Sequence, residues 1–102
     1  MYAIAFDLNT EVLNRIYGES TGRAAYNNAY DDIFLILKKL GFTRQQGSVY
    51  FGDETVDAVK VVLATQTLTK KLPWFSQSVR DIRMLRIEEN NDLRPAIKMI
   101  VE

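Results

Sequence analysis

The segment Tyr2–Leu8 constrains the fold more than any other, because its two faces differ in size. By the two-residue period of a β-strand, the bulky side chains on one face are Tyr2, Ile4, Phe6 and Leu8. The other face carries two alanines and, at the end of the strand, Asp7. A bulky face suits a layer of helices, and the small face is left open. A charge at the end of an apolar strand must be paired, solvated or protonated, so Asp7 is the first candidate for a functional role.

Composition limits the chemistry that the chain can perform. Its 102 residues make one domain, and 13 basic residues balance 13 acidic ones. This balance argues against tight nonspecific binding of nucleic acid. Without cysteine there are no thiolate nucleophiles, and without histidine the commonest general base and metal ligand is absent. Catalysis must therefore use carboxylates, Lys or Arg, Tyr, Ser or Thr, or a bound metal ion.

Nothing in the sequence predicts a membrane protein. No apolar run approaches the roughly 20 residues of a membrane-spanning helix, and no basic segment precedes the first apolar run as in a signal peptide. We therefore expect a cytoplasmic protein with no membrane partner.

Hydrophobic periodicity predicts two helices and a hairpin after the first strand. Residues 9–24 are polar and predict an irregular loop, which holds at most a short helical turn. A 3.6-residue period predicts a helix over 26–40, ended by Gly41. Two short strands around Gln46-Gly47 predict a hairpin. A second long helix is predicted over 54–70, with Asp53 as its N-cap.

A last long strand is predicted over 78–89, followed by a C-terminal helix over 92–101 with Asp92 as its cap. Alternation places Ile82 and Met84 on one face of this strand. The other face is predicted to carry Val79, Asp81, Arg83, Leu85 and Ile87.

The predicted order β-α-β-β-α-β with a C-terminal helix is the ferredoxin-like pattern of an α+β protein. In this sandwich a four-stranded antiparallel sheet carries both main helices on one face, and the first and last strands are neighbours. We expect residues 1–102 to form a single ferredoxin-like domain. The open face of such a sheet often meets a second copy, so we also expect a homodimer through that face.

Five ordered blocks of the sequence resemble one family, virulence-associated protein D (VapD) of bacteria. The blocks are "MYAIAFDL", "AYDDI", "LGFTRQQGSVY", "LPWFSQSVRDIR" and "RIEE". The family is similar in fold to the small CRISPR-associated nuclease subunit, with which it shares an Asp ending the first strand and the run Gln46–Tyr50. The chain departs from the family pattern in a longer segment at 18–25 and in a tail without an aromatic residue near 90–93.

The resemblance implies a homodimeric endoribonuclease toxin of a toxin–antitoxin pair, with a small antitoxin protein as partner. It implies cleavage of messenger RNA with a preference for purines. It also supports Asp7 as the principal acid, Asp81 as the second acid and Leu13 as an apolar residue that shapes the site.

Asp7 permits two mechanisms. In a homodimer built on this region, the Asp7 carboxylates of the two copies would approach each other, and two carboxylates are hard oxygen ligands suited to Mg²⁺, which would activate water or stabilise the transition state. Without metal, Asp7 would take the proton of the RNA 2′-hydroxyl. The competing interpretation is that Asp7 caps a turn or pairs with an arginine.

The remaining candidates would bind or position RNA. Ser48 has no histidine partner, so it is predicted to hold a phosphate oxygen or orient water rather than act as a nucleophile. Arg80 and Arg83 suit bidentate phosphate binding, and Tyr50 suits stacking on a base. Trp74 is predicted to fill the core.

Two other functions stay open. In one, the chain is a noncatalytic, dimeric interaction or regulatory module, in which Asp7 belongs to the interface and the arginines bind a protein. In the other, the dimer groove binds an anionic metabolite, although the Gly-rich phosphate-binding motifs are absent.

Overall fold

A four-stranded antiparallel sheet forms one layer of the protein, and helices form the other. The computed structural model describes residues 1–21 and 27–101, with side chains described for 1–19 and 28–101. The strands are β1 (Tyr2–Leu8), β2 (Phe42–Gln46), β3 (Val49–Gly52) and β4 (Val79–Arg86). The helices are α1 (Thr10–Thr21), α2 (Asn27–Lys39), α3 (Ala58–Lys71), α4 (Phe75–Ser78) and α5 (Arg94–Val101). The strand order β2-β3-β1-β4 is that of a ferredoxin-like fold.

The two faces of β1 differ as predicted. Its bulky side chains pack into the core with α1, α2 and α3, whereas Ala5 and Asp7 lie on the open face. Asp7 is exposed although both of its neighbours in the chain are buried. The sheet thus presents a carboxylate to solvent at one end of its central strand.

The helix and hairpin predicted in the middle of the chain are confirmed. After α2, Gly41 adopts the left-handed region with φ of +95°, and its N–H donates to the carbonyl of Lys38 at 3.3 Å. Strands β2 and β3 flank Gly47 as predicted, and an extra residue between Arg44 and Gln46 makes a bulge.

The loop predicted over 9–24 is wrong for residues 10–21, which form α1; residues 22–24 lie outside the described part of the chain. Asn9 begins the helix, because its side-chain oxygen accepts from the N–H of Val12 at 3.1 Å. Buried side chains at Leu13, Ile16 and Tyr17 then anchor the helix. Burial of this stripe outweighs the low helix propensity of Gly18.

The second long helix starts later than predicted. Its N-cap is Asp57, whose side chain accepts from the N–H of Lys60 at 2.8 Å. Asp53 instead accepts from the N–H of Thr55 at 2.8 Å and forms a turn before the helix. Asp53 and Asp57 can both cap a helix, and the sequence alone does not show which of them does.

A bulge in β4 corrects the predicted face of Val79. Asp7 pairs with Asp81, but Leu8 pairs with Val79, so Arg80 is an extra residue in the ladder. Val79 therefore packs against the core together with Ile82. The short helix α4 before this strand was not predicted; its buried Phe75 lies beside Trp74, with ring centroids 6.1 Å apart.

The C-terminal helix α5 stands apart from the core. Asp92 accepts from the N–H of Arg94 at 2.9 Å at its start, close to the predicted cap. None of its residues is buried, and Ile97 and Ile100 are 63% and 85% exposed. Within residues 1–21 and 27–101, none of the helices combines the length and apolarity of a membrane span.

Candidate active site

Two carboxylates lie opposite each other near one end of the ladder between β1 and β4. Asp7 and Asp81 are direct partners in the antiparallel register. Side chains at such positions have Cβ atoms about 4.5–5.5 Å apart, and like charges there destabilise the pairing. The prediction that neighbouring strands bring these two acids together agrees with this register. Such a pair of charges requires compensation from its surroundings.

An arginine compensates each carboxylate. The Nη1 atom of Arg80 lies 3.7 Å from Asp7 Oδ2. The Nε atom of Arg83 donates to both oxygens of Asp81, at 3.0 and 3.1 Å. This contact raises the pKa of Arg83, so its guanidinium stays charged. All four side chains are about half exposed or more, so an incoming phosphate can reach them.

The hairpin turn brings Ser48 to the same end of β1. Its carbonyl accepts from the N–H of Phe6 at 3.0 Å, beside Asp7 in the chain. Its side chain is half-buried. The turn is held by Arg44, whose Nη2 donates to the carbonyl of Gly47 at 3.4 Å. The backbone of Ser48 thus lies beside Phe6 at this end of β1, and the role of its hydroxyl in holding phosphate stays a prediction.

Asn9 positions the site and was not a candidate from the sequence. Its N–H donates to the carbonyl of Ser78 at 2.7 Å, and its own carbonyl accepts from the N–H of Leu13 at 2.9 Å. It therefore joins the end of β1 to the beginning of both α1 and β4. The sequence signal for this role is a residue that favours the N-cap position, two positions after a strand-ending Asp. The loop predicted over 9–24 makes no use of it.

Leu13 and Tyr50 lie in the core rather than at the surface. Both are fully buried, and Tyr50 stacks on Phe6 with ring centroids 6.2 Å apart. Burial raises the pKa of Tyr50. The charge of Arg44 opposes this rise, and the charge of Asp31 adds to it. Neither side chain offers a surface to RNA, because both are buried in the core.

Trp74 is also fully buried, as the sequence predicts. Its ring meets that of Tyr17 at an angle of 67°, with centroids 5.4 Å apart. Trp74 therefore fills the core and presents no ring for stacking on a base.

The carboxylate oxygens of Asp7 and Asp81 are of the ligand type that Mg²⁺ prefers. Within the described parts of the chain, no three or more His, Cys, Asp or Glu side chains cluster as ligands. Mg²⁺ is commonly held by only one or two carboxylates, with water and substrate phosphate as the other ligands. The exposed pair therefore fits Mg²⁺.

Comparison with known proteins assigns this chain to a family. The family described as "CRISPR associated protein Cas2" matches residues 1–94. Endoribonuclease VapD 2 of Riemerella anatipestifer is 55% identical over 97 residues, which cover 95% of this chain and 99% of that protein.

Two further relatives are similar over almost their whole length. Endoribonuclease VapD homolog of Helicobacter pylori is 48% identical over 101 residues, covering 99% of this chain and 100% of the relative. Endoribonuclease VapD of Dichelobacter nodosus is 43% identical over 98 residues, covering 96% and 98%. The chain therefore belongs to the VapD family, within the wider family of Cas2 proteins.

Proposed function

We propose that this chain is an endoribonuclease with Asp7 as its principal acid and Asp81 as its second. The observation that carries this proposal is the register of β1 and β4, which places two exposed carboxylates opposite each other. The relatives named endoribonuclease VapD support RNA as the substrate.

Arg80 and Arg83 are proposed to bind the RNA phosphate. A guanidinium binds phosphate bidentately, and both groups already lie beside the acids. When they turn to phosphate, they leave the carboxylate oxygens free for the reacting groups. The Ser48 hydroxyl would donate a hydrogen bond to a phosphate oxygen at this end of β1.

In the metal-free route Asp7 accepts the proton of the 2′-hydroxyl. The 2′-oxygen then bonds to phosphorus, and the bond from phosphorus to the 5′-oxygen breaks. The leaving oxygen takes a proton from solvent. The products are a 2′,3′-cyclic phosphate and a 5′-hydroxyl. Mg²⁺, when bound by Asp7 and Asp81, would supply charge stabilisation at the phosphate and a more acidic water.

The biological setting proposed for this activity is that of a bacterial toxin. The resemblance to the family implies cleavage of messenger RNA with a purine preference and inhibition by a small antitoxin protein. The balanced charge of the chain implies modest, salt-sensitive affinity for RNA, carried by a few arginines per subunit.

We also propose that two copies of the chain form a homodimer. The open face of the sheet carries partly exposed apolar side chains, including Phe51 and Leu85. Helix α5 exposes Ile97 and Ile100 without contact to the core. A second copy would bury both surfaces, since each lies outside the core of its own chain.

The test is cleavage of a mixed-sequence RNA by wild-type protein, Asp7→Asn and Asp31→Asn, each with Mg²⁺ and with EDTA. Asp31 is exposed on α2 and provides a matched control for the loss of one carboxylate. We expect Asp7→Asn to reduce the rate by about 10²-fold or more, and Asp31→Asn to leave it unchanged. Cyclic-phosphate ends in EDTA would identify the metal-free route.

Equal cleavage by wild type and Asp7→Asn would contradict the proposal. Absence of cleavage in every sample would favour the noncatalytic module. The ion pair between Arg80 and Asp7 gives that alternative its structural basis. Sizing of each variant shows whether Asp7 acts on assembly instead of chemistry.

A further inference from the structure

A groove runs between α2 and α3 in the helical layer, away from the open face of the sheet. Its wider part is a cavity of about 450 Å³, and its narrower part has about 90 Å³. Lys39, Leu40 and Thr67 line both parts, so the two form one continuous depression. None of the proposed active-site residues lines it.

Large apolar side chains line this groove although they face solvent. Leu35, Leu40 and Leu63 are 55%, 36% and 53% exposed. A contiguous exposed patch of this kind marks an interaction site more often than a single exposed leucine does.

Most lysines of the chain lie on the two helices that form this groove, and three of them line it. Five of its six lysines lie on α2 and α3: Lys38, Lys39, Lys60, Lys70 and Lys71. Within the described residues none of these five forms a salt bridge with a carboxylate. Four of them lie in last turns, where they also favour the helix dipole. The dipole accounts for those charges but not for the exposed leucines beside them.

One carboxylate lines the groove, and it has other partners. Asp53 accepts from both the N–H and the hydroxyl of Thr55. These bonds, with Lys60 nearby, lower the pKa of Asp53. The lining therefore holds three lysines, Lys39, Lys60 and Lys71, against a single acid.

We propose that this groove binds an acidic amphipathic helix of a partner protein. Leucine-type side chains would enter between α2 and α3, and flanking Glu or Asp would meet the lysines. The groove follows α3 from Lys60 to Lys71. Eleven steps at 1.5 Å each give about 17 Å, the length of about three helical turns.

Other occupants fit the groove less well. RNA would meet leucines along its backbone, and the lining has no arginine for phosphate and no aromatic ring for a base. Helix α5 of a second copy carries Arg94 and Lys98 and no acid. Its positive charge would therefore be repelled by the lysines of the groove. An acidic helix matches both the apolar floor and the cationic rim.

The probe is a fluorescent peptide of about 12 residues, with leucines spaced i, i+4 and i+7 and glutamates elsewhere. Binding to the full chain is followed by fluorescence anisotropy at low salt. We expect saturable binding that weakens at least tenfold in Lys39→Glu/Lys71→Glu. Arg15→Glu/Lys98→Glu reverses two charges outside the groove, and this matched control should bind as wild type does.

Leu63→Gln tests the apolar floor without changing charge, and it should also weaken binding. RNA cleavage by these variants should equal that of wild type, which separates this inference from the proposed nuclease activity. Equal binding of a scrambled peptide, unchanged binding to the double variant, or no binding would overturn the proposal. So would an RNA oligomer that binds with the same dependence on Lys39 and Lys71.

Discussion

At the scale of single residues, Asp7 and Asp81 form an arrangement that sheets usually avoid. Like charges directly opposite each other weaken an antiparallel pair, and here each has an arginine within 4 Å. A phosphate that engages Arg80 and Arg83 would remove this compensation. The site would then attract a cation most strongly when substrate is bound.

Tyr50 provides a residue-scale prediction. Its hydroxyl oxygen is buried without a hydrogen-bond partner among the described residues. Removal of an unsatisfied buried polar group is neutral or stabilising. Tyr50→Phe should therefore leave the free energy of unfolding unchanged or raise it by about 1 kcal/mol, as measured by urea denaturation. RNA cleavage should persist, because the ring still packs on Phe6.

A loss of about 1 kcal/mol or more in Tyr50→Phe would show instead that the hydroxyl makes a hydrogen bond in solution. Cleavage lost by a folded Tyr50→Phe would restore the predicted role of this residue in substrate binding. Phe6 is the natural second site, since a double-mutant cycle would separate stacking from the hydroxyl.

At the scale of elements, the end of α2 depends on Gly41. Its φ of +95° is unfavourable for other residues, and an added Cβ would lie 3.0 Å from Asp53 Oδ2. Gly41→Ala should lower the free energy of unfolding by about 1–2 kcal/mol. Gly47→Ala is the matched control, because no atom lies within 4 Å of its added Cβ. Equal urea midpoints for both variants would contradict this prediction.

Strong periodicity made some elements predictable and local capping chemistry made others hard to predict. β1 and α2 alternate or repeat apolar residues over their whole length, so their existence and faces were evident. α1 contains Gly18 and many polar residues, which lower its helix propensity. The helix is stabilised by the burial of Leu13 and Tyr17, which depends on the folded structure. Tertiary packing decided this helix against its propensity.

The site was predictable to the extent that topology controls it. Neighbouring first and last strands bring Asp7 near Asp81, and the hairpin brings Ser48 to β1. The contact between Arg80 and Asp7 depends on the bulge, which no periodicity rule anticipates. Tyr50 looked available in the sequence, but the phase of β3 turns it inward.

At the scale of the whole molecule, the two layers present different surfaces. The open sheet face carries the paired acids with their arginines and apolar side chains such as Leu85. The helical layer carries five of the six lysines and the groove between α2 and α3. A dimer through the sheet would therefore leave the groove accessible.

Leu85→Glu and Ile97→Glu/Ile100→Glu should weaken the proposed dimer. Each places charge on an exposed apolar surface, and loss of a buried aliphatic side chain corresponds to about tenfold or more in the dissociation constant. Light scattering after gel filtration measures the mass of each variant. Leu63→Glu, at a position on α3 that is also exposed, is the control and should remain dimeric. Unchanged mass in all variants would place the interface elsewhere.

The bulge at Arg80 has a consequence for how this site can evolve. Without Arg80, the strand would still alternate Val79 inward, Asp81 outward and Ile82 inward, so the sheet does not require this residue. A position outside the two-face alternation can change its side chain without shifting the register of its neighbours. Selection can therefore vary the group beside Asp7 while the fold and the opposed acids stay in place.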